Sequence, residues 1–276
     1  MTISKPIEEY FINDDRYLHR INEKDIRQVM NFLPGGGGYA TPTSLDVTYL
    51  KEIGADYNRI ESVIAQKKFL EYSKDELLNG ISKIGSISLS PRIEILITAS
   101  KFRNRLNVGQ GIGIGPSIIE KDGWISHKLN FSWSNDFPQK EEEIIQISEA
   151  EIVFELGRRK YSPELPSRLT CLFMVGNSLE GRIALSEMFP KKPNSRYSPL
   201  LLELALCKVD KIIELDSIWF DRYLKEGANK TFIKSYWTSE DTAEPRKEIL
   251  FEGMIAVSKP EQREELKLML NRFTGK

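Results

Sequence analysis

Residues 248–257 read EILFEGMIAV, a short apolar run with β-branched side chains that predicts a buried strand near the end of the chain. Residues 169–175, LTCLFMV, and residues 200–215, LLLELALCKVDKIIEL, have the same character and predict two further strands. Between and after these runs, the segments 178–189 and 217–226 carry apolar residues at helical spacing. Strands and helices that are mixed in this way predict an α+β fold.

The composition limits what the chain can do. It has 276 residues, of which 40% are hydrophobic, so it can build a proper core and is not mainly disordered. Its 39 Lys and Arg nearly balance its 40 Asp and Glu, which argues against a polycation that coats DNA but leaves a local basic groove open. No apolar run approaches the roughly 20 residues that span a bilayer. The N-terminus lacks the pattern of a signal peptide, so we expect a cytoplasmic protein without a membrane partner.

The chain contains few cysteines and histidines. Cys171 and Cys207 each lie in an apolar run, which predicts buried thiols and no disulfide framework. With only His19 and His127 beside them, no zinc-ligand spacing and little material for a Ser-His-Asp or Cys-His enzyme is present. If the chain is an enzyme, its chemistry is expected to rest on carboxylates, hydroxyls and arginine, without a metal.

The pattern along the chain predicts two parts. Residues 1–90 are predicted to be a helical N-terminal segment, with a flexible linker at the four glycines of residues 35–38. A capping box at residues 73–76 opens one of its helices. Residues 91–276 are predicted to form the α+β domain.

The second part is expected to begin with strands. Residues 92–100, RIEILITAS, are short and apolar, which favours a strand. Residues 106–119, with alternating glycines, and residues 124–134 are interpreted as further strand or turn segments. A second capping box at residues 148–151 predicts the start of a helix that runs to about residue 159.

Three segments together resemble the ADP-ribosyltransferase superfamily. They are PSRLTCLFMV (166–175), KSYWTSEDTAEP (234–245) and RKEILFEGMIAV (246–257). More narrowly, they are similar to a group of uncharacterised bacterial domains in which a PSR-x-x-x-LF strand precedes a helix and a later YW precedes a Glu. The resemblance extends back to ILITASKFRNRLNVGQGI (95–112). It implies an ADP-ribosyltransferase-like core of mixed or antiparallel strands with flanking helices, over roughly residues 93–258.

The resemblance also assigns roles to single residues. The catalytic Glu of the superfamily matches Glu248, and its second-strand motif matches Ser167, Arg168 and Thr170. The superfamily places an Arg or His on the first strand, and ILITAS has neither. The residues that could replace it are Thr98, Ser100, Lys101, Arg103 and Arg105, among which the sequence does not choose.

These residue types suit transfer of ADP-ribose from NAD. Breaking the nicotinamide–ribose bond creates an oxocarbenium-like cation, which the carboxylate of Glu248 could stabilise. The hydroxyl of Ser167 could orient that carboxylate, and Arg168 suits a pyrophosphate. The rings of Tyr236 and Trp237 could stack on the cofactor.

The acceptor is less well defined. Superfamily members that modify arginine carry Glu-x-Glu, whereas here Arg246 stands two residues before Glu248. That departure argues against arginine as the target. Because the resembled group includes nucleic-acid modifiers, the resemblance implies nucleic acid, either RNA or DNA, as the leading acceptor, with a protein acceptor also open. Basic residues that could bind it are Arg158, Arg159, Lys160, Lys191, Lys192 and Arg196. The resemblance implies a bacterial toxin or anti-phage effector, held in check by an antitoxin protein.

Two other functions stay open. The missing first-strand Arg or His favours a catalytically silent member that only binds a partner or nucleic acid. A third reading is an NAD glycohydrolase, with water as the acceptor. Each motif also has an ordinary structural interpretation, as an exposed strand residue (Glu248), a turn residue (Ser167), a salt-bridge partner (Arg168), a buried β-former (Thr170) or helix core (Tyr236 and Trp237).

Overall fold

The computed structural model describes residues 17–21, 38–55, 57–79, 90–104, 141–188, 200–265 and 268. The strands in these residues are β1 (Tyr17–Ile21), β2 (Gly38–Ala40), β3 (Leu172–Gly176), β4 (Leu200–Asp216) and β5 (Lys247–Val257). The α-helices are α1 (Val47–Glu52), α2 (Tyr57–Phe69), α3 (Lys74–Asn79), α4 (Pro91–Arg103), α5 (Glu141–Tyr161), α6 (Leu179–Met188), α7 (Ile218–Glu226) and α8 (Lys230–Trp237). A 3-10 turn, Pro42–Ser44, follows β2.

The five strands form one antiparallel sheet in the order β2-β5-β3-β1-β4. Strand β4 also pairs with β5, so the pairings β5–β3–β1–β4–β5 close into a circuit. One face of the sheet is turned inward and buries Leu172, Leu204, Phe251 and Ile255, among others. The opposite face of β4 and β5 packs against α5, α7 and α8, with Leu250 at the contact.

Much of the α+β prediction is confirmed. The runs at 169–175, 200–215 and 248–257 are strands β3, β4 and β5, and the helical segments at 178–189 and 217–226 are α6 and α7. The capping box at residues 73–76 is present, since the Ser73 N–H donates to Glu76 at 2.7 Å and the Glu76 N–H donates to Ser73 Oγ at 3.3 Å. The narrower likeness to an ADP-ribosyltransferase core stays a prediction.

The predicted strand at residues 92–100 is wrong, because this run lies in helix α4. Ser90 caps the helix by accepting a hydrogen bond from the Ile93 N–H, and Pro91 occupies the first helical turn, where proline is well tolerated. The buried residues Ile93, Leu96 and Ile97 follow the helical spacing and pack in the core that α4 shares with α5. A short apolar run fits both structures, and the cap decides between them.

The N-terminal segment is not wholly helical. Strand β1 pairs with β3 and β4, and strand β2 pairs with β5, so both complete the sheet formed by later residues. Gly38, predicted as part of the linker, lies in β2 opposite Ala256. The segments 105–140 and 189–199, together with Gly35–Gly37, lie outside the described residues.

The helix predicted to start at residues 148–151 starts earlier. Helix α5 begins at Glu141, whose neighbours Glu142 and Glu143 place negative charge in the first turn, where the helix dipole favours it. Ser148 and Glu151 are therefore inside the helix, and both are buried. This shift makes Glu151 a core side chain.

Gly253 allows β5 to approach β4 closely. Its φ is +156°, and a Cβ at this position would lie 2.0 Å from the Lys208 carbonyl oxygen. The neighbouring atom belongs to the backbone of a paired strand and cannot move cheaply. Only glycine therefore fits here.

We expect Gly253→Ala to lower the free energy of unfolding by more than about 2 kcal/mol, because the clash must push two paired strands apart. Gly54→Ala is the matched control, since φ there is +69° and no atom lies within 4 Å of the added Cβ. That change should cost only about 1 kcal/mol of backbone strain. Urea unfolding measures both, and equal effects would contradict the argument.

Candidate functional site

Arg168 is the centre of a buried ionic network. Its Nε and Nη2 donate to the two carboxylate oxygens of Glu151, at 3.0 and 3.2 Å. Its Nη1 donates to Glu248 Oε1 at 2.7 Å, and the Tyr236 hydroxyl donates to the same oxygen at 2.7 Å. Arg92 contacts Glu151 from the other side. Two guanidinium groups thus balance two carboxylates, and the network is neutral.

Ser167 forms a second, adjoining network. Its Oγ donates to Glu155 Oε2 at 2.7 Å, and its backbone N–H donates to Glu252 Oε1 at 3.0 Å. Arg158 contacts the carboxylate of Glu155 through Nε and Nη2, at 3.1 and 2.7 Å. The turn that follows is closed by the Leu169 N–H, which donates to Ser167 Oγ.

The two networks arise from two simple repeats. Glu151 and Glu155 stand four apart on α5, which puts them on one face of the helix. Glu248 and Glu252 stand four apart on β5, and an even spacing puts them on one face of the strand. Consecutive residues of the turn before β3 then bridge helix and strand, Ser167 through Glu155 and Glu252 and Arg168 through Glu151 and Glu248. Two carboxylates from each element therefore meet the same dipeptide.

Aromatic rings surround the Arg168 guanidinium. Its Cζ lies 4.2 Å from the centroid of Phe220 and 5.0 Å from that of Phe173. Burial on its own lowers the pKa of Arg168, but the attraction of Tyr236 and Glu248 outweighs it and raises the pKa. Burial raises the pKa of the Tyr236 hydroxyl well above its usual range. Arg168 stays charged and Tyr236 stays neutral.

A polar cavity opens beside the Ser167 network. Its volume is about 370 Å³, within the range of small-molecule sites. The side chains that line it are Thr43, Ser44, Leu70, Arg158, Ser167, Lys208, Asp210, Lys211 and Glu252. Carboxylates, cations and hydroxyls from five different parts of the chain thus converge on one space.

Glu252 is the buried carboxyl group among the residues that line this cavity. Burial raises its pKa, although the Ser167 N–H and the charges of Lys211 and Arg158 act in the opposite direction. A buried carboxyl with a raised pKa in a cleft is suited to acid–base or electrostatic chemistry. Glu252 is therefore the strongest candidate for chemistry among the described residues.

The raised pKa of Glu252 makes stability depend on pH. Because the folded state holds this proton more tightly than the unfolded state, its contribution is present below the usual Glu pKa and is lost as the pH rises through the folded pKa. As the pH rises from about 4 to about 8, the wild-type protein should therefore lose stability relative to Glu252→Gln, which has no proton to release at this position. Thermal unfolding across this range measures the difference. The exposed Glu214→Gln on β4 is the control, and an identical pH response in both variants would contradict the assignment.

The structure brings some of the sequence-predicted residues together. Glu248, Arg168 and Tyr236 share the buried network, in which Glu248 is only 4% exposed. Ser167 lies next to them, but its side chain orients Glu155 and its backbone holds Glu252. No hydrogen bond between Ser167 and Glu248 is seen among the described residues.

Other predicted residues lie elsewhere. Thr98 and Ser100 are buried on helix α4, where the Thr98 hydroxyl donates to the Glu94 carbonyl and Ser100 accepts from Asn104. The Trp237 indole N–H donates to the Phe154 carbonyl at 2.7 Å. Thr170 is buried, and its Oγ1 has no partner in the described part of the chain. These four side chains are not among those that line the cavity.

The basic residues proposed to bind nucleic acid are partly occupied. Arg158 and Arg159 both pair with Glu155, and their remaining donors contact backbone carbonyls at Pro163 and Tyr72. Arg103, proposed for the first strand, lies on α4 and contacts the Leu78 carbonyl. Residues 191–196 and Arg105 fall outside the described residues. The described contacts of Arg158 and Arg159 are thus internal.

Glu151, Glu155 and Glu252 were not predicted as site residues. The signal was present as a carboxylate pair at spacing four in a predicted helix and another in a predicted strand. The cavity residues Lys208 and Lys211 gave no such signal, because their spacing of three places them on opposite faces of a regular strand.

A model of the family described as "Protein of unknown function (DUF2441)" matches residues 120–265, which is more than half of the chain. The match includes Ser167, Arg168, Glu248 and Glu252 but not the turn at residues 42–44. No curated protein matches the chain.

The described residues contain neither a metal-binding cluster nor a membrane-spanning helix. No group of three or more His, Cys, Asp or Glu side chains among them is arranged to hold a metal ion. None of the described helices has the length and apolar character needed to cross a membrane.

Proposed function

The chain belongs to the family described as protein of unknown function (DUF2441), and we propose that it is an ADP-ribosyltransferase that uses NAD as donor. The acceptor in this proposal is a macromolecule, with RNA or DNA ahead of protein. The cellular role is that of a toxin or anti-phage effector in the cytoplasm, restrained by an antitoxin.

The proposal rests on the resemblance of three segments and on where they lie. The segments 166–175 and 246–257 are neighbours, since Leu172 pairs with Phe251 and Met174 pairs with Ile249. The third segment supplies Tyr236, which contacts Glu248. Segments far apart in the fold would have removed the basis for a shared site.

The observation that carries the proposal is the carboxyl group of Glu252 in the cavity. Glu248, the residue that the resemblance assigns to catalysis, is paired with Arg168 and accepts a hydrogen bond from the Tyr236 hydroxyl. Glu252 is on the same face of the same strand, lines the cavity and has a raised pKa. We therefore assign the catalytic carboxylate to Glu252 and a supporting role to Glu248.

The proposed transfer breaks one bond, forms one bond and releases one proton, and the cavity has a group that can accept this proton. The bond between ribose and nicotinamide breaks, and nicotinamide leaves as a neutral molecule with the bonding electron pair. A new bond forms from the ribose carbon to an oxygen or nitrogen of the acceptor, which gives up a proton. In its ionised form, Glu252 stabilises positive charge at the ribose and can then take up this proton. The backbone N–H of Ser167 holds the carboxyl group in place.

A catalytically silent binding module is the second candidate. The observation that favours it is the mutual neutralisation of Arg168 and Glu248, which would leave the predicted catalytic residues without free groups. An NAD glycohydrolase is the third, since water can replace the macromolecule as acceptor.

Transfer of label tests the proposal. Purified protein is incubated with a cell lysate and NAD that is labelled in its adenylate half, and the product is divided by nuclease and protease treatment. We expect label in nuclease-sensitive material with the wild-type protein and with the exposed control Glu214→Gln, and none with Glu252→Gln.

The other outcomes select between the candidates. Label that is removed by protease would support a transferase whose acceptor is a protein. Consumption of NAD without labelled macromolecule indicates a glycohydrolase. Intact NAD with every variant would overturn both enzymatic readings and leave the binding module.

A further inference from the structure

We propose that the outer wall of the cavity is a binding site for a phosphate group, formed by the ammonium groups of Lys208 and Lys211 and the hydroxyls of Thr43 and Ser44. All four side chains line the cavity. This site lies partly outside the region that the family model matches, and it does not depend on NAD being the donor.

An irregularity in β4 aims both lysines at the cavity. In a regular strand, residues three apart face opposite sides of the sheet. Here Val209 pairs with Gly253 and Lys211 pairs with Glu252, so Asp210 is an extra residue without a partner in β5. This bulge brings Lys211 onto the same face as Lys208. Bulges recur next to functional sites because they redirect side chains in this way.

The turn that carries the hydroxyls of Thr43 and Ser44 is hydrogen-bonded to β5 next to the cavity. The Thr41 N–H donates to the Gly253 carbonyl at 2.9 Å, and the Gly253 N–H donates to Thr41 Oγ1 at 2.9 Å. Thr41 Oγ1 also lies 2.8 Å from Ser44 Oγ. Thr41 is fully buried, so the turn that carries Thr43 and Ser44 is held against β5 beside Glu252.

The two lysines of the wall differ in how closely a carboxylate approaches them. Lys211 Nζ lies 3.8 Å from Glu252 Oε2, which is too far for a hydrogen bond. Within the described residues no hydrogen bond from the Lys211 ammonium group is seen, so its donors can meet a ligand. Lys208 is instead paired with Asp210 at 2.7 Å, and Asp210 also accepts a hydrogen bond from Ser44.

Asp210 provides a test in which two substitutions change the affinity for a phosphate group in opposite directions. A phosphate group next to Lys208 must compete with the Asp210 carboxylate and is repelled by it. Removing the charge of Lys211 should therefore weaken binding, whereas removing the charge of Asp210 should strengthen it. A change that merely disturbs the fold would weaken binding in both cases.

The experiment is a calorimetric titration of the full chain with inorganic pyrophosphate at low salt. We expect Lys211→Gln to weaken binding about ten-fold, the loss of one charge-assisted contact. Asp210→Asn should strengthen it about three-fold. The exposed Lys225→Gln on α7 is the control and should bind like the wild-type protein. Lys208→Gln replaces the first variant if Lys211→Gln does not fold.

The outcomes separate this site from the proposed reaction. If pyrophosphate binding depends on Lys211 but no transfer from NAD is seen, the phosphate site is supported and the transferase proposal is wrong. If transfer from NAD is seen but pyrophosphate binding does not depend on Lys211, the transferase is supported and the phosphate site is wrong. No binding by the wild-type protein at millimolar pyrophosphate, or weaker binding by Asp210→Asn, would overturn the phosphate site.

Discussion

Replacing Arg168 with methionine is expected to lower the free energy of unfolding by about 3–5 kcal/mol, the range found when one partner of a buried ion pair is removed. Arg168 is only 2% exposed and is bound to Glu151, Glu248 and Tyr236. Without Arg168, the buried carboxylate of Glu248 still accepts the hydrogen bond from the Tyr236 hydroxyl but has lost the positive charge that paired with it. The energy is lost because that charge remains buried.

The control is an arginine of the same kind on the surface. Arg222 is 45% exposed and pairs with Glu226 at 4.0 Å, so Arg222→Met should change stability by less than about 1 kcal/mol. The double variant with Arg168→Met and Glu248→Gln should recover part of the loss, because the unpaired charge is gone. Urea unfolding gives all three values. A loss below about 1 kcal/mol for Arg168→Met would mean that the network does not stabilise the fold.

The sequence predicts the sheet better than it predicts the start of the domain. Strands β3, β4 and β5 lie in apolar runs of 7 to 16 residues that are bounded by polar or turn residues, and this pattern predicts strands. Residues 92–100 have an equally apolar run, but the apolar positions Ile93, Leu96 and Ile97 also fit a helix. The deciding residue was Ser90, which caps the helix from outside the apolar run.

The N-terminal strands could not have been predicted from their own residues. Strands β1 and β2 are five and three residues long, and each exists because a partner strand from the other end of the chain lies beside it. Local patterns hold no information on such pairing, which is a long-range property. The linker interpretation of the glycines was correspondingly incomplete, since Gly38 pairs with Ala256.

The site was only partly predictable, because it too depends on long-range contacts that local patterns do not show. Resemblance and pattern found Glu248, Arg168, Tyr236 and Ser167, which the fold brings together. They did not find Glu252, although it follows Glu248 by four residues in the same strand. Whether a carboxylate of β5 lines a cavity or is neutralised in the core depends on what α5 and the turn before β3 place opposite it. That information is distributed over 100 residues of chain.

Replacing Glu252 with glutamine should reduce the release of nicotinamide from NAD by about 10²–10³-fold, the effect of losing one preorganised group that stabilises charge in a transition state. Glutamine can still accept the hydrogen bond from the Ser167 N–H, so the fold should be kept. Glu248→Gln should act differently. It weakens the buried network, and the molecules that remain folded should keep activity within about ten-fold of the wild-type protein.

The most direct test of this account is the rate of nicotinamide release per folded molecule, measured for the wild-type protein, Glu252→Gln and Glu248→Gln at a temperature below the unfolding midpoint of each. We expect Glu252→Gln to be folded and nearly inactive, and Glu248→Gln to be less stable but active. A folded, inactive Glu248→Gln beside a fully active Glu252→Gln would contradict it and return the chemistry to the buried network.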